Sequence, residues 1–284
     1  MKGEYYMSIL STIFLGLVQG IAEFLPISSS GHLSIFQHFL NMDTGEGDLL
    51  LEVLLHLGTL FAVCIVYRKD IVEIVVDFFA MIKNYGHPLP GKQRKYPGVR
   101  VLLMMFFATL PLFLILPFND QINKLYSNTF FIGFALVLTG VVLFISDRMV
   151  PGRKNGKTMT IVDALIIGVC QAIATMPGLS RSGTTITAGI VTGLDRKFAV
   201  KFSFLISIPA VLGANILTIA DVIKEGGVDP SAIPAYLIGM VFAMVSGYLS
   251  IKFVQMITNS GKFGRFAYYC WGVGALTILL SIIL

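Results

Sequence analysis

The apolar residues of this chain arrive in runs of roughly 18 to 24, long enough to cross about 30 Å of hydrocarbon as helices. The runs cover residues 49–67, 101–117, 128–146, 198–220, 233–256 and 266–284. They are apolar all round and not along one stripe, which is the pattern of helices surrounded by lipid and not of helices covering a soluble core. Charge content agrees. Only 13% of the 284 residues are charged and mean hydropathy is +0.81, whereas a soluble domain carries about twice that charge fraction. An all-α integral membrane protein with six transmembrane helices, forming a single membrane domain over residues 1–284, is the expected fold.

Two further stretches, 7–40 and 160–194, do not read as spans. Each is a short apolar helix, a Pro/Ser/Gly break and a second short helix, the signature of a re-entrant pair. Irregular backbone at membrane depth survives only where it is buried in protein or lines a wet cavity. Loop charges supply the orientation. The basic segments 68–100, 148–157 and 262–265 read as cytoplasmic, and the acid-rich loops 41–48 and 221–230 read as external. Six spans satisfy all of these with both termini outside. The first broken pair then enters from outside and the second from inside.

The breaks repeat. Offset by 152 positions, Gly16, Gln19, Ala22, Ser28, Ser30 and Gly31 match Gly168, Gln171, Ala174, Ser180, Ser182 and Gly183. Glu23 falls opposite Thr175, and Ser29 opposite Arg181. Three spans follow each match, and an odd number forces the halves into opposite orientations. Residues 7–147 and 159–284 therefore read as two inverted repeats, an architecture that puts its site at the midplane where the breaks meet.

The first break runs Gln19-Gly20-Ile21-Ala22-Glu23-Phe24-Leu25-Pro26-Ile27-Ser28-Ser29-Ser30-Gly31-His32. Gln19 and Glu23 share a helix face, Pro26 stops that helix, and His32 falls in the first turn of the next. Ionisable residues inside a membrane are costly and mark function. The second break, Pro177-Gly178-Leu179-Ser180-Arg181-Ser182-Gly183-Thr184-Thr185, opens a helix with exposed backbone N–H groups that bind anions. Arg181 adds a planar fork for phosphate oxygens. Candidate phosphate contacts are Gln19, Ser28, Ser30, Ser180, Ser182, Gly183 and Thr185, although such hydroxyls also serve simply to satisfy nearby backbone.

Other classes are weighed against these residues. The net charge of +5 sits in loops and implies no nucleic-acid partner. Cys64, Cys170 and Cys270 lie in apolar runs and imply neither disulfide nor zinc. The N-terminus lacks a small-residue cleavage site, so no signal peptide is expected. His56, in mid-span, reads as a packed residue. His38 and His87 have no case as site residues. A carrier or flippase for an anionic substrate fits the repeat equally well. A carrier needs no Ser and His beside its acid, however, and serine, base and phosphate clamp together suit attack on phosphorus.

The string from Gln19 to His32 resembles the first signature of the undecaprenyl-diphosphatase, or bacitracin-resistance, family: a glutamate-or-glutamine, three residues, a glutamate, then PxSSxGH. Pro177 to Thr185 resembles the second, PGxSRSGxT. The resemblance covers nearly the whole chain. It implies hydrolysis of undecaprenyl diphosphate in a bacterial cytoplasmic membrane, with the site facing outward, to recycle the lipid carrier of cell-wall synthesis and confer bacitracin resistance. It implies Glu23, Ser29, His32 and Arg181 as catalytic residues and a Mg²⁺ or Ca²⁺ cofactor held by Glu23. Gln19 takes the non-acidic option, which removes one carboxylate from any metal site. The expected partners are a polyprenyl diphosphate lipid and membrane lipids. A homodimer is compatible with small-residue stretches such as 239–247. Whether Ser29 or His32 attacks phosphorus stays open.

Overall fold

The computed structural model describes residues 9–39, 49–84, 96–150, 152–224, 230–260 and 262–283. The acidic loop 41–48, His87 within 85–95, and residues 225–229 lie outside them, so the charges assigned there are properties of the sequence. In chain order the helices are α1 (Ile9–Phe24), α2 (Ser29–Phe39), α3 (Leu49–Val66), α4 (Arg68–Lys83), α5 (Pro97–Thr109), α6 (Asn119–Tyr126), α7 (Thr129–Arg148), α8 (Ile161–Ile173), α9 (Arg181–Val191), α10 (Arg196–Lys224), α11 (Ile233–Ser260) and α12 (Arg265–Ile283).

Among the described residues, six segments are long and apolar enough to span a bilayer: Leu49–Val66, Pro97–Tyr126, Thr129–Arg148, Arg196–Lys224, Ile233–Thr258 and Arg265–Ile283. The chain is therefore a multi-pass helical membrane protein. α1 and α8 are apolar but short, with 16 and 13 residues. At 1.5 Å per residue they reach only about 24 and 20 Å, and each stops at its break.

Two sequence expectations change. The second span, expected at 101–117, runs over Pro97–Tyr126 and is interrupted. Pro111 and Pro117 each open a short 3₁₀ segment, Leu110–Leu114 and Leu116–Phe118, because proline supplies no N–H for the helical ladder. The chain then turns into α6. The segment 68–100 is also more than a loop, since it contains α4. Two of that helix's three carboxylates are tied to neighbouring segments, Asp70 pairing with Lys201 at 2.6 Å and Asp77 accepting the Gly98 N–H at 2.9 Å, while Glu73 is exposed. Its outward positions also include Val72, Val75, Val76 and Phe79, large apolar side chains that a soluble helix would cover.

α1 packs on α11, α11 on α3, and α7 on α12. These are close backbone approaches of the kind small residues permit in membranes. A Cβ at Gly16 would collide with the Gly239 carbonyl, and one at Gly20 with Ser246 and the Ala243 carbonyl. The small residues of 239–247, which the sequence offers for pairing with a second copy, are thus spent on α1 and α3. α10 crosses the middle with Phe202, Phe204, Leu205 and Ile206 buried and packs against α3, α9 and α5.

Candidate active site

The two breaks are built alike. After α1 ends, Pro26 interrupts the ladder, and Ser28 caps α2 by accepting the Gly31 N–H on its hydroxyl at 3.2 Å. In the second break Ser180 caps α9 by accepting the Gly183 N–H at 3.1 Å. The Ser28 and Ser30 hydroxyls share a hydrogen bond at 3.4 Å, and those of Ser180 and Ser182 share one at 3.3 Å. The turns also meet reciprocally. A Cβ on Gly31 would touch Gly178 Cα at 3.0 Å, and one on Gly183 would touch Pro26 Cβ at 3.1 Å. Gly178 sits at φ +89°, where a side chain would be strained. Thr139 on α7 braces this turn, donating to the Gly178 carbonyl at 3.1 Å and accepting the Ser180 N–H at 3.1 Å.

At the junction three polar side chains converge on Glu23, which is buried. Arg181 Nη2 donates to Glu23 Oε1 as a direct ion pair. The Ser29 hydroxyl donates to Glu23 Oε2 at 2.6 Å, and Gln19 Nε2 donates to the same oxygen at 3.1 Å. A carboxylate offers roughly four acceptor positions, so three are filled. Charged hydrogen bonds of this kind are about twice as strong as neutral ones, and a charge buried here without a partner would cost about 3–5 kcal/mol.

His32 turns away from this cluster. Its Nδ1–H donates to the Ser28 carbonyl at 2.8 Å, which leaves Nε2 to accept from the Tyr269 hydroxyl at 2.9 Å. The imidazole and the Tyr269 ring stack at 5.6 Å between centroids. Both ring nitrogens are occupied and neither is bonded to Ser29. Thr185 also turns away. Its hydroxyl donates to the Arg181 carbonyl at 2.8 Å and bonds Ser203 on α10 at 2.6 Å. Ser182 donates to the Leu25 carbonyl at 3.3 Å and ties the two breaks together.

Three side chains at the site have weak or no motif signal. Tyr126 lies on α6, the helix that packs against α2 and α7. His56, read from sequence as a packed residue, lies half-buried in α3. Its Nδ1 is bonded to the Glu52 carbonyl at 2.9 Å. Glu52 and His56 are one helical turn apart, and ionisable pairs in a span are a usable signal. Tyr126 and Tyr269 come from distant helices and carry no local signal.

Helices and site together define a polytopic membrane protein whose two broken helix pairs join a buried carboxylate, a serine hydroxyl and an arginine. This chain belongs to the bacitracin resistance protein BacA family, whose family model matches residues 12–276. It is 39% identical over 282 residues to an undecaprenyl-diphosphatase of Methanosphaera stadtmanae, covering 98% of this chain and 100% of that protein. An undecaprenyl-diphosphatase of Alkaliphilus metalliredigens is 39% identical over 285 residues, covering 98% and 100%. That of Methanobrevibacter smithii is 38% identical over 279 residues, covering 97% and 99%.

Proposed function

We propose that this protein hydrolyses undecaprenyl diphosphate to undecaprenyl phosphate and inorganic phosphate. The reaction takes place in the cytoplasmic membrane of the cell at a site open to the external side. It returns the lipid carrier to cell-wall synthesis and protects against bacitracin. Family membership supports the reaction, and one observation carries the mechanism. A single buried carboxylate, Glu23, accepts the Ser29 proton on one oxygen and holds Arg181 on the other.

Ser29 is the nucleophile and Glu23 its base, because His32 has both nitrogens committed elsewhere. Arg181 has N–H donors beyond the one given to Glu23, and together with the first N–H groups of α9 it grips the diphosphate. The Ser29 oxygen attacks the terminal phosphorus as its proton passes to Glu23. The bond to the bridging oxygen breaks and Glu23 returns the proton to the departing undecaprenyl phosphate; its carboxylate then takes a proton from the water that attacks the phosphoserine and hands it to the Ser29 oxygen as inorganic phosphate leaves. Arg181 stabilises the charge spreading over the phosphoryl oxygens, a contribution of several kcal/mol in comparable clamps.

The donor set fits a hard divalent cation. Glu23 keeps roughly one free acceptor position, and the buried Gln19 Oε1 one turn away has no hydrogen-bond partner among the described residues. Glu23 and Gln19 would hold Mg²⁺ or Ca²⁺, which with few protein ligands takes the rest from diphosphate and water and neutralises phosphate charge. No group of three or more His, Cys, Asp or Glu suited to a metal occurs among the described residues, so the substrate itself would complete the site.

The paired caps and reciprocal Gly31–Gly178 and Gly183–Pro26 contacts support the reading of 7–147 and 159–284 as inverted repeats. Phosphate release from purified protein with polyprenyl diphosphate, with and without EDTA, tests the proposal. Release should stop with EDTA and resume on adding Mg²⁺ or Ca²⁺. Proteoliposomes that move labelled substrate without releasing phosphate would instead make the protein a carrier.

A further inference from the structure

The serines that cap α2 and α9 occupy matching places in the two breaks and differ in backbone. Ser180 caps α9 from an ordinary extended conformation, at φ −75° and ψ 114°. Ser28 caps α2 at φ +71°, and it is the one non-glycine residue with positive φ among the described residues. A left-handed backbone is costly for a residue with a Cβ and persists only where surrounding contacts impose it. Ser28 directly precedes Ser29, the first residue of α2, whose hydroxyl donates to Glu23 Oε2 at 2.6 Å. The strain therefore lies one residue from the proposed nucleophile.

Within the turn, the Ser28 carbonyl accepts the His32 backbone N–H at 3.2 Å and His32 Nδ1–H at 2.8 Å. The Ser28 hydroxyl accepts the Gly31 N–H at 3.2 Å. These bonds belong to the turn and would move with it. α12 holds the turn from outside at two points. The Tyr269 hydroxyl meets His32 Nε2 at 2.9 Å with the two rings stacked, and the neighbouring Cys270 thiol donates to the Pro26 carbonyl at 3.7 Å. A thiol is a weak donor, so the tyrosine is the stronger of the two. It also fixes the imidazole. A carbonyl can only accept, so the Ser28 bond needs the hydrogen on Nδ1, and a donor facing Nε2 keeps the neutral ring in that form.

The second break is braced from outside as well, by Thr139 on α7. α7 and α12 pack on each other, and Trp271 Nε1 donates to the Val137 carbonyl at 3.1 Å. One packed helix pair thus holds both breaks, each through a hydroxyl.

We propose that Tyr269 is a positioning residue for the phosphoryl-transfer reaction: its hydroxyl locks the His32 ring onto the Ser28 carbonyl, which pins the strained turn and holds Ser29 against Glu23. The proposal rests on the assignment of Ser29 as nucleophile. Tyr269 acts on Ser29 only through His32, so its loss should lower kcat and leave KM alone.

The test is Tyr269→Phe in the full-length purified protein, alone and in a His32→Ala background. Phenylalanine keeps a ring on the imidazole and removes only the hydroxyl. With a polyprenyl diphosphate, Tyr269→Phe should lower kcat roughly three- to fivefold with KM changed less than about twofold. Misplacing a reacting group by about 1 Å costs on the order of 10²-fold, and this loosening is partial. Measured against the rate of His32→Ala itself, the same change should cost less than about twofold, a coupling that a double-mutant cycle reads directly. The pH profile of kcat should keep its shape, because His32 carries no proton in the reaction.

Amide hydrogen exchange of the peptide covering 26–33 gives a readout independent of activity. Exchange should rise in Tyr269→Phe and should not rise further when that change is added to His32→Ala. Wild-type kcat or wild-type exchange in Tyr269→Phe, equal losses in both backgrounds, a change confined to KM, or a displaced pH profile would each overturn the proposal. If the wild-type protein releases no phosphate at all, the functional reading falls, and the exchange experiment still decides whether Tyr269 pins the turn.

Discussion

The first break, between α1 and α2, and the second, between α8 and α9, share a frame and divide the chemistry. Each is capped by the first serine of its Ser-X-Ser-Gly run, each brings that glycine against the opposite turn, and in each the paired serine hydroxyls lie 3.3–3.4 Å apart. The differences fall at two positions. Where the first break has Glu23 and Ser29, the second has Thr175 and Arg181. Two turns capped alike therefore bring two helix N-termini together. The two sides differ in what they bring there, the proposed base and nucleophile from one half and the guanidinium from the other.

The deepest cut through this division is Ser29→Ala. Without the nucleophile, phosphate release should fall by about 10³-fold or more, on the scale seen when a covalent catalyst loses its attacking group. The melting temperature should stay near that of the wild type, because Glu23 keeps Arg181 and Gln19. A phosphate-release assay beside a thermal melt reads both. Near-normal release would move the nucleophile out of the first break.

Arg181→Ala comes next and strikes the other half. Removing a charged phosphate clamp should lower kcat/KM by about 10²–10³-fold, and Arg181→Lys should recover only part, since lysine lacks the fork. Arg181→Ala also leaves Glu23 buried without its cation, a loss of about 3–5 kcal/mol. Adding Glu23→Gln should restore the melting temperature and leave activity absent. Recovery of both would mean that the pair is structural and that phosphate is held elsewhere.

Much of this division was legible in the sequence, and the reasons are local. Apolar run lengths gave the six spans, and the Pro/Ser/Gly breaks with the 152-residue offset gave the meeting of Glu23 and Arg181. Charges at membrane depth need partners, and the repeat supplied a reason for these two to find each other. What was hidden depends on side-chain direction and on distant segments. α6 packs against α2 only because Pro111 and Pro117 redirect the chain after α5. Asp70 and Asp77 of α4 read as loop charge in the sequence, and the structure joins them to Lys201 and the Gly98 N–H. No periodicity states that Ser28 adopts positive φ, and none tells which way His32 faces.

His32 sharpens the comparison, because the second break has no counterpart to it: the matching position is Thr184. Its ring straps the Ser28 carbonyl to Tyr269 on α12 and does not contact Ser29. His32→Ala should therefore cost roughly 10- to 100-fold in kcat, the scale of a reacting group set about 1 Å out of place, and less than Ser29→Ala. Tyr269→Phe should cost less again, since the Ser28 bond survives it. Acid-quenched protein should carry phosphate on serine. Acid-labile phosphate on His32, with a loss matching that of Ser29→Ala, would reverse the assignment.

The smallest effect belongs to Thr185, which the motif groups with the phosphate contacts and the structure does not. Its hydroxyl is bonded to the Arg181 carbonyl at 2.8 Å and to Ser203 at 2.6 Å, and it faces α10. Thr185→Val keeps the shape and removes the hydrogen bonds, leaving the buried Ser203 hydroxyl without this partner. That change should lower stability by about 1–3 kcal/mol and shift kcat and KM by less than twofold. Melting curves and steady-state phosphate release on the same preparation separate the two. A rise in KM of tenfold with an unchanged melt would place Thr185 on the substrate after all. It would also show that the second break uses a hydroxyl beyond its cap to hold phosphate, where the first break uses Ser29.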